Sequence, residues 1–125
     1  MSEKKKILVV DDEIALRRAL VDTLSAEDEF EVLSAADGEE AFVSITKNHP
    51  DLVLLDIAMP KMDGLTVIQK LKTENSLGKT KIMFLTNSSE LSQIATAMSS
   101  GAFDYLVKAD WDLKDVVKKV KEKLK

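Results

Sequence analysis

The stretch Asp51-Leu-Val-Leu-Leu-Asp56-Ile-Ala-Met-Pro-Lys-Met-Asp-Gly64 joins a short apolar run to an acidic residue and a polar connection. Residues 52–55 are four aliphatic side chains in succession, a pattern that predicts a strand covered on both faces, as in parallel sheets. Asp63 is a candidate N-cap for the helix-period segment that follows it. The stretch therefore predicts a buried strand, with Asp56 directly after it, that leads into a helix.

Similar apolar runs recur along the chain and alternate with segments of helical period. The other predicted strands lie at residues 7–10, 30–33, 81–85 and 103–107. Five apolar stripes of helical spacing accompany the five strands. Their members are Ile14, Leu16, Leu20 and Leu24; Ala41, Phe42 and Ile45; Leu65, Ile68 and Leu71; Leu91, Ile94, Ala95 and Met98; and Leu113, Val116, Val117, Val120 and Leu124.

The strict alternation of strands and helices predicts an α/β fold. The common arrangement for five such units is a doubly wound five-stranded parallel sheet of order 2-1-3-4-5, the flavodoxin-like (βα)5 fold. Asp37 with Glu40, and Asp112 with Asp115, have the spacing of capping boxes at two predicted helix starts. We expect a single domain over residues 1–125 without an output domain, and a site at the carboxyl ends of the first and third strands.

The composition excludes several classes of protein. The chain has 125 residues, of which 45% are hydrophobic and 32% charged, as in an ordinary globular domain. It has no cysteine, so disulfides and thiolate metal sites are excluded. The net charge of −4 argues against nucleic-acid binding by the domain, and the apolar run at residues 7–10 is too short for a signal peptide or membrane span. We therefore expect a cytoplasmic protein without membrane association or direct nucleic-acid binding.

Three carboxylates follow the two strands at which the fold predicts a site. Asp11 and Asp12 come after the first strand and Asp56 after the third. Asp12 could simply cap the first helix, but three converging carboxylates repel one another, and a divalent cation would offset that repulsion. Magnesium suits such a site because it prefers oxygen ligands and often binds phosphate as well. Thr86 and Lys108, at the ends of the fourth and fifth strands, could bind a phosphoryl group.

These residues resemble the response-regulator receiver family of two-component signalling. The resemblance is carried by Asp11-Asp12, by residues 54–64 around Asp56, and by Thr86, Tyr105 and Lys108, and it extends through the whole chain. It implies that Asp56 is the phosphoacceptor and that Thr86 and Lys108 bind the phosphoryl group.

The same resemblance implies a cofactor, a switch and partners. Magnesium would be bound by Asp12, Asp56 and the Ala58 backbone carbonyl, and by Asp11 through water. Tyr105 would swing inward when Thr86 moves toward the phosphate. The partners would be a sensor histidine kinase or phosphotransfer protein and a downstream protein. The downstream protein would bind the fourth helix, fifth strand and fifth helix, and the chain would act as a phosphoacceptor and not as an enzyme.

Some positions depart from the family pattern, and other functions compete with it. Ala109 stands where the family usually has proline, so we predict a trans Lys108-Ala109 peptide bond. We predict that Trp111 packs across the start of the last helix. A haloacid-dehalogenase-type phosphatase needs a second Asp where this chain has Ala58. A flavodoxin-like cofactor carrier would not place carboxylates after the first strand, and a scaffold receiver would not need the complete acidic set.

Overall fold

The computed structural model of the chain describes residues 4–59, 61–86, 104–108 and 112–125. Five parallel strands form one sheet of order β2-β1-β3-β4-β5, which confirms the predicted α/β topology. The elements along the chain are β1 (Lys5–Val10), α1 (Ile14–Ser25), β2 (Phe30–Ala35), α2 (Gly38–Asn48), β3 (Leu52–Asp56), α3 (Gly64–Thr73), β4 (Lys81–Thr86), β5 (Asp104–Val107) and α4 (Leu113–Lys123).

The register of the central strands brings their acidic ends together. Val10 of β1 pairs with Leu55 of β3, and on its other side with Ala35 of β2. All five residues of β3 are buried, as the continuous apolar run predicts. Because parallel strands run in the same direction, the residues after Val10 and Leu55 leave the sheet at one edge. Asp11 and Asp56 therefore become neighbours through the register alone.

Helices cover both faces of the sheet and create two apolar cores. On one face, α2 and α3 pack against alternate strand residues; their buried members include Ala41, Ile45, Val67, Ile68 and Leu71. On the other face, α1 and α4 contribute Leu20, Leu24, Val116 and Val120. The division follows from the strand period of two, which directs successive side chains to opposite faces. The sheet thus lies between two layers of helices, and the loops lie at the ends of its strands.

Three predicted helix starts are confirmed by their N-cap contacts. The side chains of Asp37, Asp63 and Asp112 accept hydrogen bonds from backbone amides three residues later, at 2.9, 2.8 and 3.0 Å. At α4 the capping box is complete, since Asp115 also accepts from the Asp112 amide. These bonds fix where α2, α3 and α4 leave the preceding loops.

The predicted inclusion of Ile14 in the buried stripe of α1 is wrong. Leu20 and Leu24 are fully buried, but Ile14 is 59% exposed. Ile14 precedes Leu16 by two residues, which corresponds to about 200° around a helix, so the two side chains cannot share a face. The helix therefore presents Ile14 to solvent beside the end of β1.

Several predictions concern residues that the structure does not describe. The fourth predicted helix through residues 91–98, the Lys108-Ala109 peptide bond and Trp111 lie outside the described ranges. In the part of the chain that is described, no helix has the length and hydrophobicity needed to cross a bilayer.

Candidate functional site

Asp11 is the most buried carboxylate at the carboxyl edge of the sheet. It follows β1 directly and has no exposed surface. Its Oδ1 atom accepts a hydrogen bond from the Glu13 amide at 2.9 Å, while Oδ2 accepts none among the described residues. The Asp11 carbonyl oxygen accepts from Nη1 of Arg17 at 2.8 Å. The backbone and one carboxylate oxygen are thus fixed, and the second oxygen faces the site.

Asp56 and Lys108 complete the buried part of this site. Asp56 is the last residue of β3 and is 3% exposed, and Lys108 directly follows β5. Nζ of Lys108 lies 3.3 Å from Oδ1 of Asp56 and 3.2 Å from Oδ2 of Asp11. The ammonium group therefore bridges two carboxylates that come from different strands.

Asp12 joins the same cluster from the solvent side. One carboxylate oxygen from each of Asp11, Asp12 and Asp56 lies within 4.8 Å of the other two, although Asp12 itself is exposed. The N-cap of α1 is Glu13, so Asp12 does not occupy the capping position. The structure therefore brings the three predicted carboxylates together. Two of them, Asp11 and Asp56, are buried, and Asp12 is in contact with solvent.

The electrostatics of the site oppose full ionisation of Asp56. Burial, together with the negative charges of Asp11 and Asp12, raises the pKa of Asp56 to about 7, although the Lys108 ammonium acts in the opposite direction. Burial would lower the pKa of Lys108, but the charges of Asp56 and Asp11 outweigh it and raise that pKa above its ordinary value. One cation thus only partly compensates the clustered carboxylates.

The predicted site residues Thr86, Tyr105 and Ala58 lie on β4, on β5 and in the loop after β3. Thr86 is the last residue of β4, is fully buried, and pairs with Val107 of β5. Tyr105 stands two residues before Val107, so its side chain leaves the same face of the sheet as Thr86, but it is 38% exposed. Ala58 lies in the loop after β3, two residues beyond Asp56, and is exposed.

The role of Arg17 was not anticipated from the sequence. Arg17 and Arg18 follow each other in α1, and nothing in their spacing indicates which one turns toward β1. In the folded chain Arg17 is partly buried and donates to the Asp11 carbonyl, whereas Arg18 is exposed. Successive helical residues point in different directions. The positions of Arg17 and Arg18 around α1, counted from the Asp11-Asp12 turn, are therefore the signal that could have distinguished them.

The donor set at this edge fits a hard divalent cation. All the clustered atoms are carboxylate oxygens, the ligand type that magnesium prefers. Oδ2 of Asp11 is buried and accepts no hydrogen bond within the described chain, although the Lys108 ammonium lies near it. That ammonium is shared with Asp56, so the three clustered carboxylates keep a deficit of positive charge that a divalent cation would offset. The residues present therefore suit magnesium.

A family model for the response regulator receiver domain matches residues 7–121. The chain belongs to the response regulator receiver domain family. It is thus a receiver domain of two-component signalling, as the resemblance of its acidic motif implies. Receiver domains in general bind magnesium at an acidic pocket, and the corresponding cluster here consists of Asp11, Asp12 and Asp56.

Individual relatives and solved structures agree with this family. The receiver domain is 46% identical over 106 residues to a protein of Porphyridium aerugineum named "Probable transcriptional regulator ycf27", a match that covers 85% of this chain and 42% of that protein. A CheY-like response regulator receiver domain protein from Methanospirillum hungatei superposes with a TM-score of 0.85 at 30% identity, over 98% and 94% of the two chains. Chemotaxis protein CheY4 of Vibrio cholerae superposes with a TM-score of 0.83 at 28% sequence identity. The match covers 95% of this chain and 98% of that chain.

The length of these relatives limits what they imply. The receiver domain spans less than half of the ycf27 protein that it matches, so the regulatory role in that protein's name belongs to a longer chain. The structural neighbours, in contrast, are covered almost completely. The comparisons therefore establish the family and the fold of this receiver domain.

Proposed function

We propose that the receiver domain is a signalling switch in which Asp56 accepts a phosphoryl group. The donor would be a sensor histidine kinase, a phosphotransfer protein or a small phosphodonor. The observation that carries the proposal is the position of Asp56, buried at a strand end with Asp11 and Asp12 beside it and a lysine ammonium 3.3 Å from its Oδ1 atom. Activity of this kind is a single phosphoryl transfer to the protein itself, and the cytoplasmic location expected from the sequence belongs to the same proposal.

The proposed ligands of magnesium are Asp12, Asp56 and the backbone carbonyl of Ala58, with Asp11 acting through water. The raised pKa of Asp56 supports a cation at this cluster, because the clustered carboxylates share one ammonium and have a deficit of positive charge. When bound, magnesium would neutralise negative charge on the carboxylates and on the phosphoryl oxygens.

The side chains of the chain itself would position and stabilise the transferred group. A carboxylate oxygen of Asp56 forms the new bond to phosphorus while the bond from phosphorus to the donor's nitrogen or oxygen breaks and the donor leaves with the electron pair. Lys108 would place its ammonium against a phosphoryl oxygen, and the Thr86 hydroxyl would donate a hydrogen bond to another. Thr86 ends β4 and Lys108 directly follows the neighbouring β5, so both side chains start at the same end of the sheet as Asp56.

The signal would be passed on by protein contacts. Phosphorylation adds negative charge and acceptor oxygens, so it favours the backbone state in which Thr86 and Lys108 come closer to Asp56. Movement of Thr86 would free space for Tyr105, whose exposed side chain on the same face would turn inward. The surface read by a downstream protein would include β5 and α4, together with the predicted helix at residues 91–98, which lies outside the described residues.

A phosphatase activity, a scaffold role without phosphorylation and nucleic-acid binding have less support than the proposed switch. A haloacid-dehalogenase-type phosphatase would need a carboxylate where Ala58 stands, and a scaffold receiver would not need the buried set of Asp11, Asp56 and Lys108. Nucleic-acid binding is not part of the proposal. The transcriptional role in the name of the ycf27 relative belongs to a protein of which this chain covers 42%.

The test is intact-mass measurement after incubation with magnesium and acetyl phosphate. We expect wild type to gain one phosphoryl group, Asp56→Asn to gain none, and removal of magnesium by a chelator to prevent the gain. Asp104→Asn is the matched control, since it removes a carboxylate from the opposite end of the sheet and should leave labelling intact. Equal labelling of wild type and Asp56→Asn, or no labelling of folded wild type, would contradict the proposal.

A further inference from the structure

The start of α2 lies directly against the loop that follows β3. Gly38 is the first residue of α2 and is buried. A Cβ atom added there would lie 1.9 Å from the carbonyl oxygen and 2.7 Å from the Cβ atom of Met62. Real Cβ atoms do not approach other atoms so closely, so only glycine permits this backbone contact. Met62 is thereby held at a fixed distance from α2.

A second contact joins the same two segments. Asp37, the N-cap of α2, is 8% exposed; its Oδ1 atom accepts from the Glu40 amide, and its Oδ2 atom lies 3.5 Å from Nζ of Lys61. Lys61 has a φ of 68°, in the left-handed region that residues other than glycine rarely adopt. The carboxylate that caps α2 therefore also pairs with a lysine whose backbone has an unfavourable conformation.

The loop is also closed at its two ends. The Gly64 amide donates to the Ile57 carbonyl at 2.9 Å, and a Cβ atom on Gly64 would lie 2.4 Å from the Asp56 carbonyl oxygen. The loop between β3 and α3 is therefore anchored at Ile57 and Gly64, and among its described residues Lys61 and Met62 contact the start of α2. Ala58, whose carbonyl is a proposed magnesium ligand, belongs to this loop.

We propose that Asp37 and Gly38 are positioning residues of the metal site, which set the place of the Ala58 carbonyl by holding Lys61 and Met62. The inference rests on the proposed function, because it takes the Ala58 carbonyl as a ligand. Magnesium requires nearly octahedral coordination, so a small displacement of one ligand lowers its affinity. Residues that orient metal ligands without touching the metal commonly affect affinity for this reason.

The first test is titration of Gly38→Ala with magnesium chloride in a calorimeter, with urea denaturation of the metal-free protein in parallel. We expect magnesium binding to weaken about fivefold to tenfold, since Met62 must move away from the new methyl group. Gly78→Ala is the matched control. Gly78 has a φ of 59° but no atom within 4 Å of an added Cβ, so this variant should lose stability and keep the wild-type dissociation constant.

The second test uses variants that should fold even if Gly38→Ala does not. Lys61→Met removes the ion pair at an exposed side chain, and Asp37→Asn removes the charge but keeps an oxygen that can cap α2. We expect each to weaken magnesium binding about twofold, and the double variant to be no weaker than either, because both remove one interaction.

The signs of these two effects separate positioning from long-range electrostatics. Loss of a positive charge near the site would strengthen cation binding in Lys61→Met, whereas loss of a negative charge would weaken it in Asp37→Asn. Positioning predicts that both weaken. Opposite signs, or wild-type affinity in both variants, would overturn this inference alone. If wild type does not bind magnesium, the proposed function fails and this inference fails with it.

Discussion

The two ends of the sheet hold their carboxylates in different ways. At the amino end, Asp104 begins β5, accepts from the Tyr105 amide at 2.7 Å, and lies 2.9 and 3.5 Å from the ammonium groups of Lys123 and Lys119. At the carboxyl end, the buried Asp11 and Asp56 share the ammonium of Lys108, with Asp12 adding a third negative charge. At the amino end two ammonium groups surround one carboxylate. At the carboxyl end one ammonium group serves a cluster of three carboxylates.

As a result, the pKa of Asp104 is lowered and the pKa of Asp56 is raised. Burial alone would raise the pKa of Asp104, but the hydrogen bonds from Lys123 and Tyr105 and the two lysine charges lower it. For Asp56, burial and Asp11 dominate over Lys108, and the pKa rises to about 7. An ionised Asp104 thus stabilises the fold, whereas an ionised Asp56 destabilises it until a cation binds. The raised pKa at the carboxyl end is consistent with the proposed site there, since burial and like charges oppose ionisation of Asp56.

The largest expected effect is the stabilisation of the metal-free protein by Asp56→Asn. At about pH 8 we expect the free energy of unfolding to rise by about 2 to 4 kcal/mol, because each unit of pKa shift corresponds to about 1.4 kcal/mol. The folded-state pKa of Asp56, about 7, lies above its ordinary value of 3.8. The cost of ionisation is therefore fully present above pH 7 and disappears as the pH falls toward 4.

Urea denaturation of Asp56→Asn and Asp104→Asn at several pH values measures this contrast. Because the pKa of Asp104 is lowered, its contribution is present above its ordinary pKa and is lost as the pH falls through the folded-state value. Asp104→Asn should therefore lose about 0.5 to 1 kcal/mol at neutral pH, a small value because the pair is partly exposed. If Asp56→Asn were less stable than wild type at about pH 8, the comparison between the two ends would be wrong.

A smaller effect is expected when a lysine is removed from either end. Lys108→Met should lower the stability of the metal-free protein by about 1 to 3 kcal/mol, because it leaves buried carboxylates without their cation. Lys123→Met should cost less than about 1 kcal/mol, because Asp104 keeps Lys119 and contact with water. Magnesium should restore part of the loss in Lys108→Met only. Urea denaturation with and without magnesium measures these changes. Equal losses of unfolding free energy in Lys108→Met and Lys123→Met would show that the two ends do not differ in their charge balance.

The smallest effect concerns Asp12, the solvated member of the cluster. Asp12→Ala should stabilise the metal-free protein by about 0.5 kcal/mol, because it relieves repulsion and no capping bond of α1 depends on it. The same variant should lose most of the stabilisation that magnesium gives to wild type. Thermal unfolding with and without magnesium tests both parts, and a clear loss of stability would show that Asp12 supports the start of α1 after all.

The sequence was sufficient to predict the architecture and the clustering of Asp11, Asp12 and Asp56, whereas the roles of the site residues stay a prediction. The continuous apolar run before Asp56 identified a doubly covered strand, and the alternation of periods led to the observed strand order. Local signals with short range, such as the caps at Asp37 and Asp112, were also predicted correctly. The prediction for Ile14 is wrong because its two-residue spacing from Leu16 does not match the helical period. Apolar periodicity and capping residues within one helix or strand can be predicted from the sequence, because they depend only on local backbone geometry.

What the sequence could not supply is the relation between segments far apart in the chain. Asp11 and Asp12 are adjacent and chemically identical, yet the register of β1 buries one and leaves the other in solvent. The ammonium of Lys108 reaches Asp11 across almost a hundred residues, and Gly38 meets Met62 at a distance that only packing defines. By itself the sequence placed the carboxyl ends of the strands to within two residues, because the apolar runs that mark strands are local. The tertiary structure decided their burial, charge balance and pKa, because those depend on long-range packing.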